Sequence, residues 1–276
     1  MNYRHSFHAG NSADVVKHSL LIALVRALQQ KDSALTLIDT HSGCGLYDLG
    51  GDEAQRTGEA AQGVLRAFAD TNPLLDDYRS AVRAVNGGGG PHLYPGSPRF
   101  LSQLLRPQDF LILNEKHPED VAALRSAMRD TPAAVHHRDA YELWLAMVPP
   151  RTPRGVVVVD PPYEQMDERA RITATLAAAM RKWAHGVTVI WFPLKDRATH
   201  TRWKEKLGKL GIPKLLCVEH WLYDSDQPGI YNGAGLFFVN PPYAFTQALP
   251  PLLEALRAAL APEGHNGEIT NQWLGD

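Results

Sequence analysis

Four residues at positions 160–163, Asp-Pro-Pro-Tyr, have the types and spacing best suited to chemistry in this chain. They follow an apolar, β-branched run at 155–159 that is typical of a buried strand. An amino group on a heteroaromatic ring is a poor nucleophile, because its lone pair is delocalised into the ring. The carboxylate of Asp160 and the carbonyl of Pro161 could accept hydrogen bonds from both N–H groups and localise that lone pair, in a loop that the prolines make rigid. Tyr163 could stack on an extruded base, so Asp160, Pro161 and Tyr163 are candidate catalytic residues for an amino-group substrate.

A similar motif, Asn-Pro-Pro-Tyr, occupies positions 240–243 after the last apolar run. It could support the same chemistry, and a Pro-Pro turn could also be purely structural in either place. The order of the strands favours Asp160 over Asn240. Asp160 follows the fourth apolar run, and other polar candidate residues follow the first three runs, so all of them would lie at the ends of strands one to four. We therefore predict that Asn240 lies in a chain reversal on a strand far from the site, at the margin of the sheet.

Polar residues also follow the first three apolar runs. The first run ends in an acidic residue before Gly43 and Gly45, Glu115 follows the second, and Asp139 follows the third. Glycines let a cofactor approach the backbone, Glu115 could accept hydrogen bonds from ribose hydroxyls, and Asp139 could accept one from an adenine amino group. Each residue has a structural alternative, namely a turn for the glycines, an acid in the first turn of a helix for Glu115 and a helix N-cap for Asp139.

The spacing of apolar runs predicts an α/β fold with a seven-stranded, mostly parallel sheet covered by helices. The predicted strands are residues 35–39, 110–114, 133–137, 155–159, 187–192, 215–219 and 235–239. The predicted helices are residues 14–28, before the first strand, and residues 119–128, 167–183 and 200–210, between later strands.

About seventy residues separate the first two runs, which is too long for an ordinary crossover. Helical periodicity at 59–69 and 73–85 predicts a small helical subdomain inserted at 49–92. Residues 1–48 and 93–276 would then form the two parts of the core domain.

The net charge of -2 excludes a uniformly basic surface for nucleic acid, so binding would need a local patch. Residues 181–214 contain nine basic and two acidic residues, although such a segment is often just a solvated helix face.

The two cysteines cannot form a disulfide framework, and no apolar run is long enough to span a membrane. We therefore expect a cytoplasmic protein. His5, His8, His18 and His41 could be read as metal ligands, but the chain lacks paired cysteine spacings and we predict no metal.

The N-terminal string from Tyr3 to Asn11, YRHSFHAGN, together with IDTHSGCG, YPGSP, LNEKHP, RDAYE and VDPPYE, resembles the bacterial RlmJ-type methyltransferases over essentially the whole chain. Members of that family form N6-methyladenine in the 23S RNA of the large ribosomal subunit. The resemblance implies a Rossmann-like class I methyltransferase fold and S-adenosylmethionine as the cofactor.

The resemblance also implies roles for particular residues and a partner. It implies that Asp160 is the catalytic acceptor and that the RNA contacts Tyr3, and we add His5 and Tyr163 as candidate RNA contacts. The cofactor contacts that it implies are His18, His41, Ser97, Glu115, Asp139, Ala140 and Asp160, and we add Lys17 and Gly43 as candidate cofactor contacts. The expected partner is ribosomal RNA, either free of protein or at an early assembly stage, with neither a membrane nor an obligate protein partner.

Three other functions remain open at this point. A DNA adenine-N6 methyltransferase and a protein glutamine-N5 methyltransferase both use a comparable tetrad, and substrate competition would separate them. A DNA enzyme usually needs a target-recognition domain, for which the insertion is small. A non-catalytic RNA-binding protein is a third possibility, and replacement of Asp160 would distinguish it from an enzyme.

Overall fold

The computed structural model describes residues 4–227, 229 and 231–275. The main sheet has eight strands in the order β10-β8-β9-β7-β6-β1-β4-β5, and β2 pairs with β3 in a separate two-stranded sheet. The strands are β1 (Leu35–Asp39), β2 (Leu46–Asp48), β3 (Leu93–Pro95), β4 (Phe110–Asn114), β5 (Ala134–His136), β6 (Arg154–Val159), β7 (Val187–Leu194), β8 (Leu215–Trp221), β9 (Gly233–Val239) and β10 (Glu268–Trp273).

Ten α-helices are found in the described part of the chain. They are α1 (Ser12–Leu28), α2 (Asp52–Thr57), α3 (Val64–Ala69), α4 (Asp76–Val85), α5 (Ser97–Gln103), α6 (Pro118–Ala127), α7 (Ala140–Met147), α8 (Glu168–Lys182), α9 (Arg197–Gly208) and α10 (Tyr243–Leu260). Short 3-10 helices occupy His5–Phe7, Glu59–Gln62 and Pro73–Leu75. None of the helices in the described ranges has the length and apolar character needed to cross a lipid bilayer.

The predicted α/β class is confirmed, and the direction of the strands explains where a site can form. Strands β5, β4, β1, β6 and β7 are parallel, so their carboxyl ends meet at one edge of the sheet, which we call the carboxyl edge. Strand β9 is antiparallel to both β7 and β8. In open sheets of this kind, ligands bind beyond the carboxyl ends of the parallel strands.

The predicted number of seven strands is wrong, because β10 adds an eighth at the margin of the sheet. This strand pairs antiparallel with β8, from Glu268 opposite Trp221 to Trp273 opposite Leu216. Its sequence, EITNQW, is mainly polar and four of its six residues are exposed. An edge strand that buries little surface has no apolar run by which the sequence could reveal it.

Strand β6 shows how the sheet is covered on both faces. Val156 and Val158 join the hydrophobic cluster formed with α1 and α10, whereas Val157 and Val159 join the cluster formed with α7, α8 and α9. All four valines are at most 2% exposed. Because side chains alternate along a strand, a continuous apolar run of this kind is what a strand buried on both faces requires.

The predicted insertion lies between β2 and β3 and contains α2, α3 and α4. Helical periodicity at 73–85 places Leu75, Tyr78, Val82 and Val85 on one face; the first three are buried in the same cluster as α1 and α10, and Val85 is partly buried. The helix predicted at 59–69 is split at Gly63, where a Cβ atom would lie 2.1 Å from the carbonyl oxygen of Gly10. The segment therefore shares the hydrophobic core of the sheet, and the domain boundaries at 49 and 92 stay a prediction.

Candidate active site

A cavity of about 490 Å³ opens at the carboxyl edge. Its wall is formed by the residues that follow β1, β4, β5 and β6, by the first turns of α1 and by Tyr231. Eleven of the predicted site residues line it, namely His5, Lys17, His18, His41, Gly43, Ser97, Glu115, Asp139, Ala140, Asp160 and Pro161. Tyr163 is not among the lining residues, and Tyr3 lies outside the described residues.

Asp160 is held by a buried lysine from α1. The Nζ atom of Lys17 lies 2.6 Å from Oδ2 of Asp160 and 2.8 Å from Oδ1 of Asp14. Burial alone would lower the pKa of Lys17, but the carboxylates of Asp14 and Asp160 outweigh it and raise that pKa. Lys17 is therefore an ammonium that fixes one oxygen of Asp160, and the other oxygen has no hydrogen-bond partner within the described ranges.

Tyr163 lies beside the cavity with its side chain turned into the protein. Its backbone has a positive φ of 54°, which is unusual for a residue with a Cβ atom. Its hydroxyl donates to the carbonyl oxygen of Trp191 at 2.7 Å, and its ring packs edge-on against Trp191 and Trp203. Its neighbours Pro162 and Trp191 line the cavity, but Tyr163 itself does not. The stacking of Tyr163 on a base therefore stays a prediction.

Glu115 and the glycine turn after β1 are joined by a hydrogen bond. Oε2 of Glu115 accepts from the backbone N–H of Gly43 at 2.8 Å, and Oε1 accepts from the N–H groups of Lys116 and His117. Each carboxylate oxygen can accept two hydrogen bonds, so Oε2 keeps capacity for a ligand hydroxyl. The geometry is compatible with the ribose contact predicted for Glu115.

Replacing Gly43 by alanine should both destabilise the protein and weaken cofactor binding. Its φ is +58°, and an added Cβ atom would lie 2.2 Å from the hydroxyl oxygen of Tyr47. Gly211→Ala is the matched control, because Gly211 has a φ of +65° but no neighbour within 4 Å. The control should cost about 1 kcal/mol through backbone strain alone, and Gly43→Ala about 1–3 kcal/mol more through the clash. Urea unfolding and calorimetric titration with S-adenosylmethionine measure the two effects, and equal losses of stability would contradict the steric argument.

Asp139 caps α7, as its structural alternative predicts. Its Oδ1 accepts from the backbone N–H of Tyr141 at 3.0 Å, and its Oδ2 lies 3.1 Å from Lys116 and 3.2 Å from Arg171. Although burial opposes ionisation, these hydrogen bonds lower the pKa of Asp139. A charged N-cap at the cavity wall is also able to accept a hydrogen bond from an adenine amino group, so the predicted cofactor role of Asp139 remains a prediction.

Two histidines at the cavity are uncharged at neutral pH. Burial lowers the pKa of His41 to about 4, and burial together with the charge of Lys17 lowers the pKa of His18 well below its usual range. Nδ1 of His18 is bonded to the hydroxyl of Tyr94 at 2.8 Å. Its Nε2 is buried and has no hydrogen-bond partner among the described residues, although His18 lines the cavity. A buried polar atom without a partner is costly, which fits a site completed by a polar ligand.

Ser97 contacts a buried acid at the end of β1. Its hydroxyl donates to Oδ2 of Asp39 at 2.6 Å, and Asp39 is completely buried. Burial raises the pKa of Asp39 to about 7, with the negative charge of Asp160 adding to the shift. Asp39 therefore lies behind the cavity wall, where it binds Ser97, and its carboxyl group is partly protonated near neutral pH.

The raised pKa of Asp39 predicts a specific dependence of stability on pH. Below about pH 4 the carboxyl is neutral in both the folded and the unfolded chain, whereas between about pH 4 and pH 7 the folded chain binds more protons. The wild type should therefore lose up to about 4 kcal/mol relative to Asp39→Asn as the pH rises through this window. Chemical denaturation at pH 4.5, 6 and 8 measures this difference, with the exposed Asp77→Asn as the control. Parallel stability curves for the wild type and Asp39→Asn would rule it out.

Several cavity residues have no individual sequence motif. Asp14, Trp191 and Tyr231 line the cavity from α1, β7 and the β8–β9 connection. Asp14 lies three residues beyond the N-terminal string, where the resemblance to the family continues from Ala13 to His18, so that resemblance could have indicated it. Trp191 and Tyr231 reach the site only through the tertiary fold, and no local pattern in the sequence marks them.

The second tetrad, at Asn240, lies at the opposite edge of the sheet. Strand β9 is inside the sheet, between β7 and β8, and not at its margin as the sequence suggested. Because β9 is antiparallel to β7, Val239 pairs with Thr188 near the start of β7. The side chain of Asn240 donates to the carbonyl oxygens of Ala184 and Gly186, which agrees with the predicted chain reversal.

The basic segment at 181–214 does not form one patch next to the cavity. Helices α8 and α9 both begin after strands that end at the carboxyl edge and run toward the opposite edge. Lys195 and Arg197 therefore lie on the cavity side, whereas Arg181, Lys182, Lys206, Lys209 and Lys214 lie toward the other edge. Arg197 pairs with Glu268 at 2.8 Å, which reduces the positive charge on the cavity side.

The four N-terminal histidines have separate partners and do not converge on one point. His5 bonds Asp14, His8 bonds Glu59, His18 bonds Tyr94 and His41 bonds Thr40. Elsewhere, His200, Cys217 and Glu219 place their ligand atoms within 4.8 Å of one another. The ammonium of Lys204 lies 3.0 Å from Glu219, so this buried group is already balanced by a cation.

The fold and the cavity together define a class I S-adenosylmethionine-dependent methyltransferase. The residues present fit the cofactor, since a carboxylate with spare acceptor capacity, a glycine turn and an unpartnered buried imidazole nitrogen line one cavity. A family model described as "Ribosomal RNA large subunit methyltransferase D, RlmJ" matches residues 32–275. The chain belongs to this RlmJ family.

Individual relatives agree with the family match over the whole length of the chain. The chain is 37% identical to Ribosomal RNA large subunit methyltransferase J from Escherichia coli and 35% identical to the protein of the same name from Haemophilus influenzae, and each alignment covers 99% of both chains. The crystal structure of protein LPL1258 from Legionella pneumophila superposes with a TM-score of 0.86 at 31% identity, covering 96% of this chain and 98% of that one. The architecture described above is therefore shared with an experimentally determined structure.

Proposed function

We propose that this enzyme acts in the cytoplasm and transfers a methyl group from S-adenosylmethionine to the N6 amino group of an adenine in 23S ribosomal RNA. The observation that carries the proposal is the position of Asp160 and Pro161 at the end of β6, on the cavity wall, with Asp160 held by Lys17. Two relatives named as ribosomal RNA large subunit methyltransferases support the substrate class.

The cofactor would lie across the ends of β1, β4 and β5. Glu115 would accept hydrogen bonds from its ribose hydroxyls, Asp139 and the backbone of Ala140 would hold its adenine, and the backbone of Gly43 would pass close to it. The remaining contacts proposed for it are Lys17, His18, His41, Ser97 and Asp160. When bound, S-adenosylmethionine supplies an electrophilic methyl carbon on a positively charged sulfur.

Asp160 and Pro161 would prepare the substrate nitrogen. The free oxygen of the Asp160 carboxylate and the Pro161 carbonyl would accept hydrogen bonds from the two N–H groups, so that the lone pair is concentrated on nitrogen and available for methyl transfer. Lys17 remains an ammonium, because its pKa is raised, and it therefore takes up no proton. The proton that leaves the nitrogen after methylation passes to the carboxylate of Asp160 or to water.

A base inside a helix cannot reach this cavity, so the adenine must be flipped out or lie in a single strand. His5 lines the cavity, and Tyr3 and Tyr163 are the other residues that we propose to contact RNA. RNA that is free of protein, or bound by few proteins as in early assembly, leaves such an adenine accessible.

The test uses methyl-labelled S-adenosylmethionine with protein-free large-subunit RNA, duplex DNA and a release-factor-like protein in parallel. We expect label only in the RNA, and only in N6-methyladenine after digestion to nucleosides. Label in the DNA, in the protein or in a different nucleoside would refute the proposal, as would the absence of transfer to RNA.

Replacing Tyr231 should weaken RNA binding. Tyr231 lines the cavity and is 38% exposed, and the ammonium of Lys195 lies 5.7 Å from its ring centre, so the pair offers a stacking face next to a positive charge. Loss of one stacked base typically costs about 1–3 kcal/mol, so Tyr231→Ala should weaken RNA binding about tenfold. Fluorescence anisotropy with labelled RNA measures this. Tyr243→Ala is the control, because Tyr243 is 78% exposed beyond the opposite end of β9, and equal affinities of the two variants would contradict the prediction.

A further inference from the structure

Glu59 of the insertion is bonded to two residues of the N-terminal segment. Its Oε1 contacts Nδ1 of His8 at 2.8 Å, and its Oε2 accepts from Nδ2 of Asn11 at 3.0 Å. Both partners line the cavity. The hydrogen bond to Glu59 raises the pKa of His8, and the bonds to His8 and Asn11 lower the pKa of Glu59 despite its partial burial. Both shifts favour a charged pair.

Asn11 connects Glu59 to the first turn of α1. Its Oδ1 accepts from the backbone N–H of Asp14 at 2.9 Å, which makes it the N-cap of the helix. Oδ1 of Asp14 lies 2.8 Å from Nζ of Lys17, which in turn lies 2.6 Å from Oδ2 of Asp160. A continuous chain of four polar contacts therefore links Glu59 to the carboxylate at the end of β6.

The backbone nearby also fixes the N-terminal segment to the insertion. The N–H of Val64 donates to the carbonyl oxygen of Gly10 at 2.7 Å, and the hydroxyl of Thr57 donates to the carbonyl oxygen of Phe7. Gly63 allows this close approach, because a Cβ atom there would collide with Gly10 and Asn11. These contacts hold the segment in place, whereas Glu59 contacts the cap of α1 itself.

From this chain of contacts we propose that Glu59 is a positioning residue for methyl transfer. It orients Asn11, and Asn11 sets the first turn of α1, so that Lys17 holds Asp160 in the geometry needed at the substrate nitrogen. The inserted segment thus has a role in the reaction although none of its elements contributes a catalytic group. The expected effect on kcat rests on the proposed function. The expected effect on the first turn of α1 does not.

Glu59→Ala and Glu59→Gln test the proposal together. Alanine removes both acceptor oxygens, whereas glutamine keeps one oxygen that can accept from Asn11. We expect Glu59→Ala to lower kcat about tenfold, with KM for S-adenosylmethionine and for RNA changed less than twofold, because misplacement of a catalytic group affects the chemical step. Glu59→Gln should recover most of kcat. Asp77→Asn, which removes an exposed acid of the same insertion, should leave kcat unchanged.

Two further measurements separate positioning from a general loss of stability and from failure of the proposed function. Asn11→Ala should lower kcat as Glu59→Ala does, and the double variant should be no worse than either, because both residues act through one path. Hydrogen exchange at the Asp14 amide should accelerate at least fivefold in Glu59→Ala, and this readout needs no substrate.

Unchanged exchange at Asp14, or a raised KM for RNA with an unchanged kcat, would overturn the positioning role. Additive losses in the double variant would overturn it as well. If the wild type transferred no methyl group to RNA while exchange at Asp14 still accelerated in Glu59→Ala, the proposed function would fail and the structural link would stand.

Discussion

Replacing Asp160 by alanine should lower kcat for methyl transfer by a factor of about 10³. The carboxylate is the acceptor that localises the lone pair of the substrate nitrogen, and Pro161 alone offers only one carbonyl. The fold should persist, because Lys17 keeps its contact with Asp14 at 2.8 Å after Asp160 is removed. Cofactor affinity should fall by about ten- to a hundredfold, which corresponds to the loss of one hydrogen bond to a charged group, about 1.5–3 kcal/mol.

Single-turnover assays with labelled cofactor and ribosomal RNA measure the rate, and calorimetry measures cofactor binding. Asn240→Ala is the matched control, since it alters the second tetrad at the opposite edge of the sheet and should leave kcat unchanged. A normal rate for Asp160→Ala would remove its assigned role. A lost rate for Asn240→Ala, with the fold intact, would mean that the wrong tetrad was chosen.

The part of the site that lies directly after strands could be predicted from the sequence. Glu115, Asp139 and Asp160 each follow an apolar run. Because the strands formed by these runs are parallel, their carboxyl ends meet at one edge of the sheet, and the three residues lie close together. The same reasoning placed Asn240 away from the cavity, although the position of β9 within the sheet was not foreseen. The fold class and the seven apolar strands followed from the same runs.

The remaining part of the site depends on contacts between distant segments. The bond between Lys17 and Asp160 joins residues 143 positions apart, and the bond between His8 and Glu59 joins residues 51 positions apart. No local periodicity encodes such a pairing. Tyr163 is a further example, because its motif suggested a stacking face, which stays a prediction, but gave no sign that its hydroxyl would donate to the carbonyl oxygen of Trp191.

Replacing Lys17 by methionine should destabilise the protein by about 3–5 kcal/mol and also abolish most activity. Methionine matches the apolar length of the side chain, but Asp14, which is 2% exposed, and Asp160 would lose the cation between them. Asp14 would keep its contact with His5 at 2.9 Å, which offsets part of the cost. The destabilisation should be larger at pH 8 than at pH 5, because protonation relieves a buried carboxylate that has lost its partner.

A double-mutant cycle with Asp14→Asn isolates the electrostatic part of this effect. If two unbalanced carboxylates cause the loss, Lys17→Met should cost about 1–3 kcal/mol less in the Asp14→Asn background. Lys204→Met is the control for loss of a buried ion pair, because Lys204 lies 3.0 Å from the buried Glu219 and does not line the cavity. It should lower stability while kcat stays within about twofold, measured below the unfolding transition. If Lys17→Met lowers both the stability and kcat, Lys17 stabilises the fold electrostatically and also positions Asp160. If Lys17→Met lowers the stability but keeps a normal kcat, Lys17 has only a structural role.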